Sequence, residues 1–352
     1  MTDSAIIDEV DLALVSALQN APRAPWAVIG KAIEVSAVTA ARRWERLRTL
    51  GLAWVTAYGG SFVHRHHCVA FIGLDCEPGR VPDIAAELAL QPQIASVEHT
   101  SGRQDLLLSV MLDGLSDLSR LHTNVLGRLP GVRAVHSEIV TRFFTEGSRW
   151  DLRAISREQR DAVRPQAVSY GTDTDPVPAA GDRELLLALG ADGRMSYGEL
   201  ARCTGMSEST ARRRVSRLLA TRTVVPRCEL ADSCSPYPVF VTYRANVPSD
   251  ALARVGPSLA ALPEVRMCAA TTSQHNLVVN GWVRSIPDTL RLESQLAERF
   301  PELSVVDRSL TLANTKRMGW ILNGAGRAVR HVPIDLWQEP GATGATARPT
   351  RP

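Results

Sequence analysis

Apolar residues near the start of the chain recur with a helical period. Val10, Leu14 and Leu18 fall at i, i+4 and i+8 on one face. Pro22 ends that stretch, and Pro25 suits the first turn of a second, short helix reaching about Ile33. Ser36 is placed as the N-cap of a third helix that runs to about Leu50, with Gly51 as its C-cap. The same pattern returns downstream. Leu185 and Leu189 face inward, Ser196 and Glu199 have capping-box spacing, Gly205 sits in a turn and Ser207 caps another third helix.

The recurrence is a repeat. Shifting the chain by 171 positions lays the 34 residues from Leu14 onto those from Leu185 without a gap, and 11 pairs are identical. Chance would give about two. The identities include Arg23/Arg194, Ser36/Ser207, Thr39/Thr210, Arg42/Arg213, Arg43/Arg214, Arg46/Arg217 and Leu47/Leu218. Weaker matches continue at Pro92/Pro263, Thr100/Thr271, Leu106/Leu277 and Pro130/Pro301. Each copy opens with two short helices, a tight turn and a third helix. That is the helix-turn-helix plan, in which the last helix enters the DNA major groove.

The second part of each copy alternates as β-α-β-β-α-β, predicting a ferredoxin-like fold with an antiparallel sheet and two helices on one face. The expected class is α+β: a tandem duplication of a helix-turn-helix or winged domain followed by a ferredoxin-like βαββαβ domain. The expected domains are helix-turn-helix 1–55, ferredoxin-like 62–148, linker 151–181, helix-turn-helix 182–230 and ferredoxin-like 236–320. The tail 331–352, ending EPGATGATARPTRP, is expected to be disordered.

Composition adds a little. The chain has 352 residues, 40 basic and 37 acidic, for a net charge of +3, too mild to imply nucleic acid by itself. No window approaches 18 consecutive apolar residues, so no transmembrane helix is expected. Acids stand where a signal peptide needs basic residues, so the reading is a cytoplasmic protein. The six cysteines form no C-x-x-C and read as free thiols in or near a core.

Local charge says more. Residues 36–50 hold four arginines and one acid, and residues 207–227 hold six arginines and one acid. On the third helices, Ala40, Trp44 and Leu47, and likewise Ala211, Val215 and Leu218, form narrow inward stripes. Val38, Thr39, Arg42 and Arg46 lie opposite, as do Ser209, Thr210, Arg213 and Arg217, with Arg43 and Arg214 on the flank. Hydroxyls at a helix start and arginines one turn on suit phosphate anchoring and guanine reading. The candidate DNA-binding set is therefore Ser36, Val38, Thr39, Arg42, Arg43 and Arg46 with Ser207, Ser209, Thr210, Arg213, Arg214 and Arg217.

These segments resemble the leucine-responsive regulator/AsnC (feast/famine) transcription factors, through Ser36, Arg42, Arg43, Arg46, Leu47 and Gly51 and their second-copy counterparts. Arg222 departs from the helix-ending glycine of that family. The resemblance extends to the effector-binding, oligomerising (RAM) domain, which carries a G-x-x-D turn. It implies a double-stranded DNA partner, a small effector such as an amino acid, and effector contacts at Thr100, Ser101, Gly102, Gln104 and Asp105. Copy two, Thr271 to Leu277, lacks both the glycine and the acid, so copy one is expected to bind the effector. One chain supplies both heads as a pseudo-dimer. Ala37/Glu208, Val38/Ser209 and Ala41/Arg212 differ between them, which predicts unlike half-sites. A homodimer or higher assembly of the fused chain is expected.

A rival of another class is an enzyme. Siroheme decarboxylases resemble this two-part architecture, and His64-Arg65-His66-His67 precedes a strand in copy one. Strand alternation would let His64 and His66 meet one ion, with His67 and Cys68 beside them, or serve a haem. The decarboxylases' His/Arg strand motifs are absent, and copy two has only Ser235-Pro236-Tyr237-Pro238 there. No nucleophilic triad, Walker loop or G-x-G-x-x-G is present. The sequence is thus read as a regulator rather than an enzyme, with no cofactor or metal, and the role of the histidine run is left open.

Overall fold

The computed structural model of the chain describes residues 7–164, 178, 179 and 181–341. The first head is α1 (Glu9–Asn20), α2 (Trp26–Ala32) and α3 (Ala37–Thr49), followed by β1 (Ala53–Gly59). Asp8 and Asp11 exchange backbone bonds as a capping box on α1, and Ser36 Oγ accepts from Thr39 N at 3.0 Å at the start of α3. Gly51 closes α3 at φ +66°, and a Cβ there would meet Ala328 O at 2.3 Å.

The first ferredoxin-like unit follows. It comprises α4 (Ser61–His66), β2 (Cys68–Cys76), α5 (Val81–Leu88), β3 (Ile94–Thr100), β4 (Leu106–Leu112), α6 (Leu115–Arg120) and β5 (Val132–Thr145). Next comes α7 (Arg157–Val163), inside the segment expected to be linker. Ser156 and Gln159 cap it, and Val163 is buried in the core of the first head. Residues 165–177, the rest of that linker, lie outside the described residues.

The second copy repeats the order. Its head is α8 (Asp182–Ala191), α9 (Tyr197–Thr204), α10 (Glu208–Ala220) and β6 (Val224–Leu230). Its second unit is β7 (Val239–Asn246), α11 (Leu252–Ala260), β8 (Val265–Thr271), β9 (Leu277–Val283), α12 (Ile286–Arg299) and β10 (Ser304–Arg317). Arg222 stands where copy one has Gly51 and still adopts φ +54°, a left-handed backbone that costs a side-chain-bearing residue about 1 kcal/mol. The helix end is thus kept without its glycine.

The two units do not form separate sheets. Eight strands pair antiparallel in the order β3-β4-β2-β5-β8-β9-β7-β10, and β10 pairs back onto β3, so the ring closes. The registers obey the repeat. β10 meets β3 at Thr311↔Thr100 and Asn314↔Glu98, and β5 meets β8 at Val140↔Thr271 and Phe143↔Ala269, each pair the other shifted by 171. β1 and β6 form their own two-stranded ladder, with Thr56 opposite its own counterpart Arg227. The pseudo-two-fold axis passes between those two residues.

Strand alternation sorts the side chains. Ile72, Leu74, Leu106, Leu108 and Val110 join a core under the helices of copy one. Val241, Tyr243, Val279 and Val283 do so in copy two. The intervening residues point into the ring, so these strands are apolar on both faces for two different reasons. The six cysteines are free, and Cys203 alone is exposed.

One boundary is corrected. Residues 331–341 were expected within a disordered tail. After β11 (Trp320–Leu322) and β12 (Ala328–His331), Val332, Ile334 and Leu336 are buried, and Trp337 stacks on Phe62 at 6.3 Å. Asp335 accepts from Arg183 Nε of α8 at 3.2 Å. These spaced apolar residues find partners on the heads, which composition alone does not reveal. Residues 342–352 lie outside the described residues.

Candidate nucleic-acid interface and barrel interior

The third helices lie as their patterns require. Ala40, Trp44 and Leu47 of α3 and Ala211, Val215 and Leu218 of α10 are buried. Val38 is 78% exposed, and Arg42, Ser209, Arg212 and Arg213 are exposed. Ser36 and Ser207 cap their helices, and each hydroxyl also meets the next candidate, Thr39 or Thr210, at 2.9 Å.

The remaining arginines reach across to the first helix of their head, with Arg46 still exposed. Arg43 bridges Asp8 at 2.8 Å and Asp11 at 2.9 Å, and Arg46 also holds Asp11. Arg214 and Arg217 hold Asp182, the counterpart of Asp11. Asp11 is 1% and Asp182 2% exposed. A buried carboxylate left unpaired costs several kcal/mol, so these arginines tie the third helix to the first. Hydrogen bonds that Arg43 donates to Asp11 and Asp8 raise its guanidinium above its ordinary value.

A second arginine pair joins the heads. Arg23 donates to Gly193 O at 2.6 Å and Met195 O at 3.0 Å, and Arg194 returns the contact to Pro22 O at 2.6 Å and Ala24 O at 3.0 Å. Arg194 lies over the Trp26 ring at 3.9 Å and Arg23 over Tyr197 at 5.3 Å. The identity Arg23/Arg194 was visible in the repeat, but nothing in the sequence said that the two turns touch.

The five candidate effector residues come together as a turn that the chain itself already binds. Thr100 Oγ1 donates to Gln104 O at 2.7 Å, and Asp105 Oδ2 accepts from Cys76 N at 2.7 Å. Ser101 exchanges two hydrogen bonds with Leu310 of β10, at 2.8 and 2.9 Å. Gln104 Oε1 accepts from Arg244 at 3.0 Å, and Gly102 takes φ +101°. Copy two thus seals this turn against its own strand.

The interior of the strand ring is polar on an apolar lining. A cavity of about 130 Å³ lies there, walled among others by Phe71, Leu107, Ser109, Glu138, Val278 and Trp282. Glu138 Oε1 accepts from Arg244 Nε at 2.8 Å. Glu229 takes two bonds from Arg266, at 2.7 and 2.8 Å, and a further one from Arg227. Arg317 reaches Asp232 at 2.6 Å. Burial opposes the charge on Glu229, but Arg227, Arg266 and Arg317 outweigh it and hold the carboxyl below its usual range. Burial, aided by Arg227, pushes Arg266 down to about 9. Burial raises the Glu98 carboxyl, and Thr311 donates to it at 2.7 Å.

Residues 69–150 match the Lrp/AsnC ligand binding domain, and residues 7–48 and 180–219 each match the AsnC-type helix-turn-helix domain. The chain thus carries two AsnC-type helix-turn-helix domains and an Lrp/AsnC ligand binding domain. An uncharacterized HTH-type transcriptional regulator of Pyrococcus abyssi is 29% identical over 136 residues, 38% of this chain and 86% of that protein. HTH-type transcriptional regulator FL11 of Pyrococcus horikoshii is 28% identical over 141 residues, 40% of this chain and 93% of that protein. Each aligns with less than half of this chain. The siroheme decarboxylase NirDL shares the fold at TM-score 0.56 and 14% identity, over 88% of this chain and 93% of that one.

In this chain the histidine run is split by structure. It lies in the helix α4 and not on a strand, so His64 and His66 do not alternate across a sheet. His64 stacks on Phe143 at 4.4 Å, and burial lowers its pKa, while His67 Nδ1 meets Asp113 Oδ1 at 3.0 Å. Among the described residues, no group of three or more His, Cys, Asp or Glu is placed to hold a metal ion, and no helix is long and apolar enough to cross a membrane.

The sequence reading missed the buried charges Glu138, Arg244, Arg266 and Arg317 of the barrel and Glu229 of the β1–β6 ladder. Their signal was a charge within an apolar strand, as in Val241-Thr242-Tyr243-Arg244-Ala245.

Proposed function

We propose that the chain is a sequence-specific DNA-binding transcriptional regulator in which one polypeptide supplies both reading heads. The observation that carries this is the pair of capped third helices presenting Arg42 and Arg213 outward at equivalent positions, on heads clamped together by Arg23 and Arg194. In this reading Arg42, Arg212, Arg213, Val38, Ser209 and the helix-starting hydroxyls face DNA. Arg43, Arg46, Arg214 and Arg217 set the angle of each helix. The relatives named as transcriptional regulators and the family's ligand binding domain support a small effector as its modulator. The test is fluorescence anisotropy on duplex DNA from the region upstream of its own gene, in a salt series with scrambled competitor. Competitor-resistant binding whose log K falls by several units per log unit of salt is expected. Weak binding that a scrambled duplex competes away equally overturns the reading for that site.

The enzyme reading rests on likeness of fold to the decarboxylase. A cavity of about 130 Å³ is close to the roughly 150 Å³ that holds one benzene ring, far below what a tetrapyrrole needs. Purified protein with no absorbance of a bound tetrapyrrole is the expected result.

A further inference from the structure

Glu138 is a buried carboxylate with one oxygen used and one not. Oε1 is held by Arg244, whereas Oε2 is buried and has no hydrogen-bond partner. The side chain is 9% exposed and lines the barrel cavity. A buried polar atom without a partner costs about 1–3 kcal/mol, so a site of this kind calls for a donor. The wall also carries apolar and aromatic side chains, Phe71 and Leu107 from copy one and Val278 and Trp282 from copy two, alongside polar ones such as Ser109, Thr242 and Asn280. A dry cavity of similar size accepts a single aromatic ring. Charge is already balanced at this point, because Arg244 answers Glu138.

We propose that the barrel interior is a binding site for a compact neutral ligand, a single ring or branched aliphatic body bearing one O–H or N–H, which donates to Glu138 Oε2. The site is distinct from the G-x-x-D turn, whose hydrogen-bonding groups Ser101, Gln104 and Asp105 are taken by the chain itself. The inference rests on the small-effector part of the proposed function. Its test reads ligand binding without DNA, so each reading can fail alone.

The experiment is calorimetric titration of the full chain with phenol and with toluene. Saturable phenol binding at least about tenfold tighter than toluene is expected, the gap set by a hydrogen bond to a charged acceptor. Glu138→Gln, which replaces the charged acceptor by an NH₂ that can only donate more weakly to the phenol oxygen, is expected to narrow the gap between phenol and toluene. Ser109→Leu, which fills the cavity from β4, on the far side of Phe71 from Glu138, is expected to abolish binding of both. Should the Gln variant fail to fold, the phenol/toluene ratio in the unaltered protein still decides. No saturable binding of either ligand, equal affinity for the two, or undiminished phenol binding in Ser109→Leu each overturns the proposal.

Discussion

Arg244 of copy two donates to Glu138 of copy one at 2.8 Å inside the barrel, and both side chains are more than nine-tenths buried. Neither is matched in the other copy. The counterpart of Arg244 is Gly73, and that of Glu138 is Ser309. Around them the repeat places Arg317 at the position of Glu146, Arg266 at that of Ala95 and Glu98 at that of Ala269. Arg227, Arg266 and Arg317 are paired with Glu229 and Asp232 of their own copy, whereas Arg244 finds its partner in the other copy. Two copies of either half would leave Arg244 or Glu138 without that partner, so this contact favours the pairing of unlike halves. Removing Glu138 should leave the buried Arg244 with only the more distant Asp307, at 3.7 Å, and the amide of Gln104. Glu138→Ala is expected to destabilise the fold by about 3–5 kcal/mol, whereas Glu138→Leu with Arg244→Met should recover most of that loss. Urea unfolding midpoints of the single and double variants check it, and a double variant no more stable than Glu138→Ala contradicts it.

The arginines of the third helices should fall into two groups by assay. Arg42→Ala and Arg213→Ala remove exposed side chains, so Tm should hold while DNA affinity drops by about 1–3 kcal/mol each, with a salt slope lower by about 1 for a lost phosphate contact. Arg217→Ala takes a partner from the buried Asp182 and should lower Tm before any DNA is added. Thermal unfolding beside anisotropy separates the groups. An Arg217→Ala protein with unchanged Tm and no DNA binding would place Arg217 on the DNA after all.

This division shows where the sequence stops being legible. The helical period, the caps Ser36 and Ser207 and the 171-residue repeat are local signals, and each head carries them in full. Outward direction was also readable, but direction does not tell an arginine on DNA from one turned onto the neighbouring helix. Arg43 and Arg46 share a helix with Arg42 and differ only in reaching Asp11, which lies 32 and 35 residues upstream. The barrel was hidden for a similar reason. Alternation assigns Phe71 and Arg244 to one strand face, while ring closure depends on pairs such as Thr311↔Thr100, more than 200 residues apart.

The clamp between the heads should control spacing more than affinity for a half-site. Arg23 and Arg194 each satisfy two carbonyls on the other head's turn, and each lies over an aromatic ring there. Arg23→Ala with Arg194→Ala frees the turns while the β1–β6 ladder still holds the heads together. The double variant is expected to keep its affinity for a single half-site and to tolerate half-site separations changed by one or two base pairs, which the unaltered protein rejects. Selection from duplex libraries of varied spacing measures this. Equal spacing preference in the two proteins would assign geometry to the barrel alone.

The C-terminal arm gives stability a dependence on acid. His331 ends β12, packs at a tilt against Trp320 at 5.4 Å and sits against Gly190 of α8, with Nε2 buried and unpartnered. Burial, with the nearby Lys316 amine, lowers its pKa from 6.5 to about 3. The unfolded chain therefore binds a proton near pH 6.5 that the folded chain refuses until about pH 3. More protons on the unfolded state mean that stability rises with pH across that window and is lost as pH falls through it, by up to about 5 kcal/mol. Lys316 adds a separate window. Burial, with Arg330, lowers it to about 7, so its share of the pH dependence falls above neutrality. His331→Gln should therefore flatten the curve between pH 6 and 4 and leave the alkaline limb unchanged. Urea midpoints of both proteins at half-unit pH steps test this, and parallel curves below pH 6 would mean that His331 takes up its proton in the folded chain.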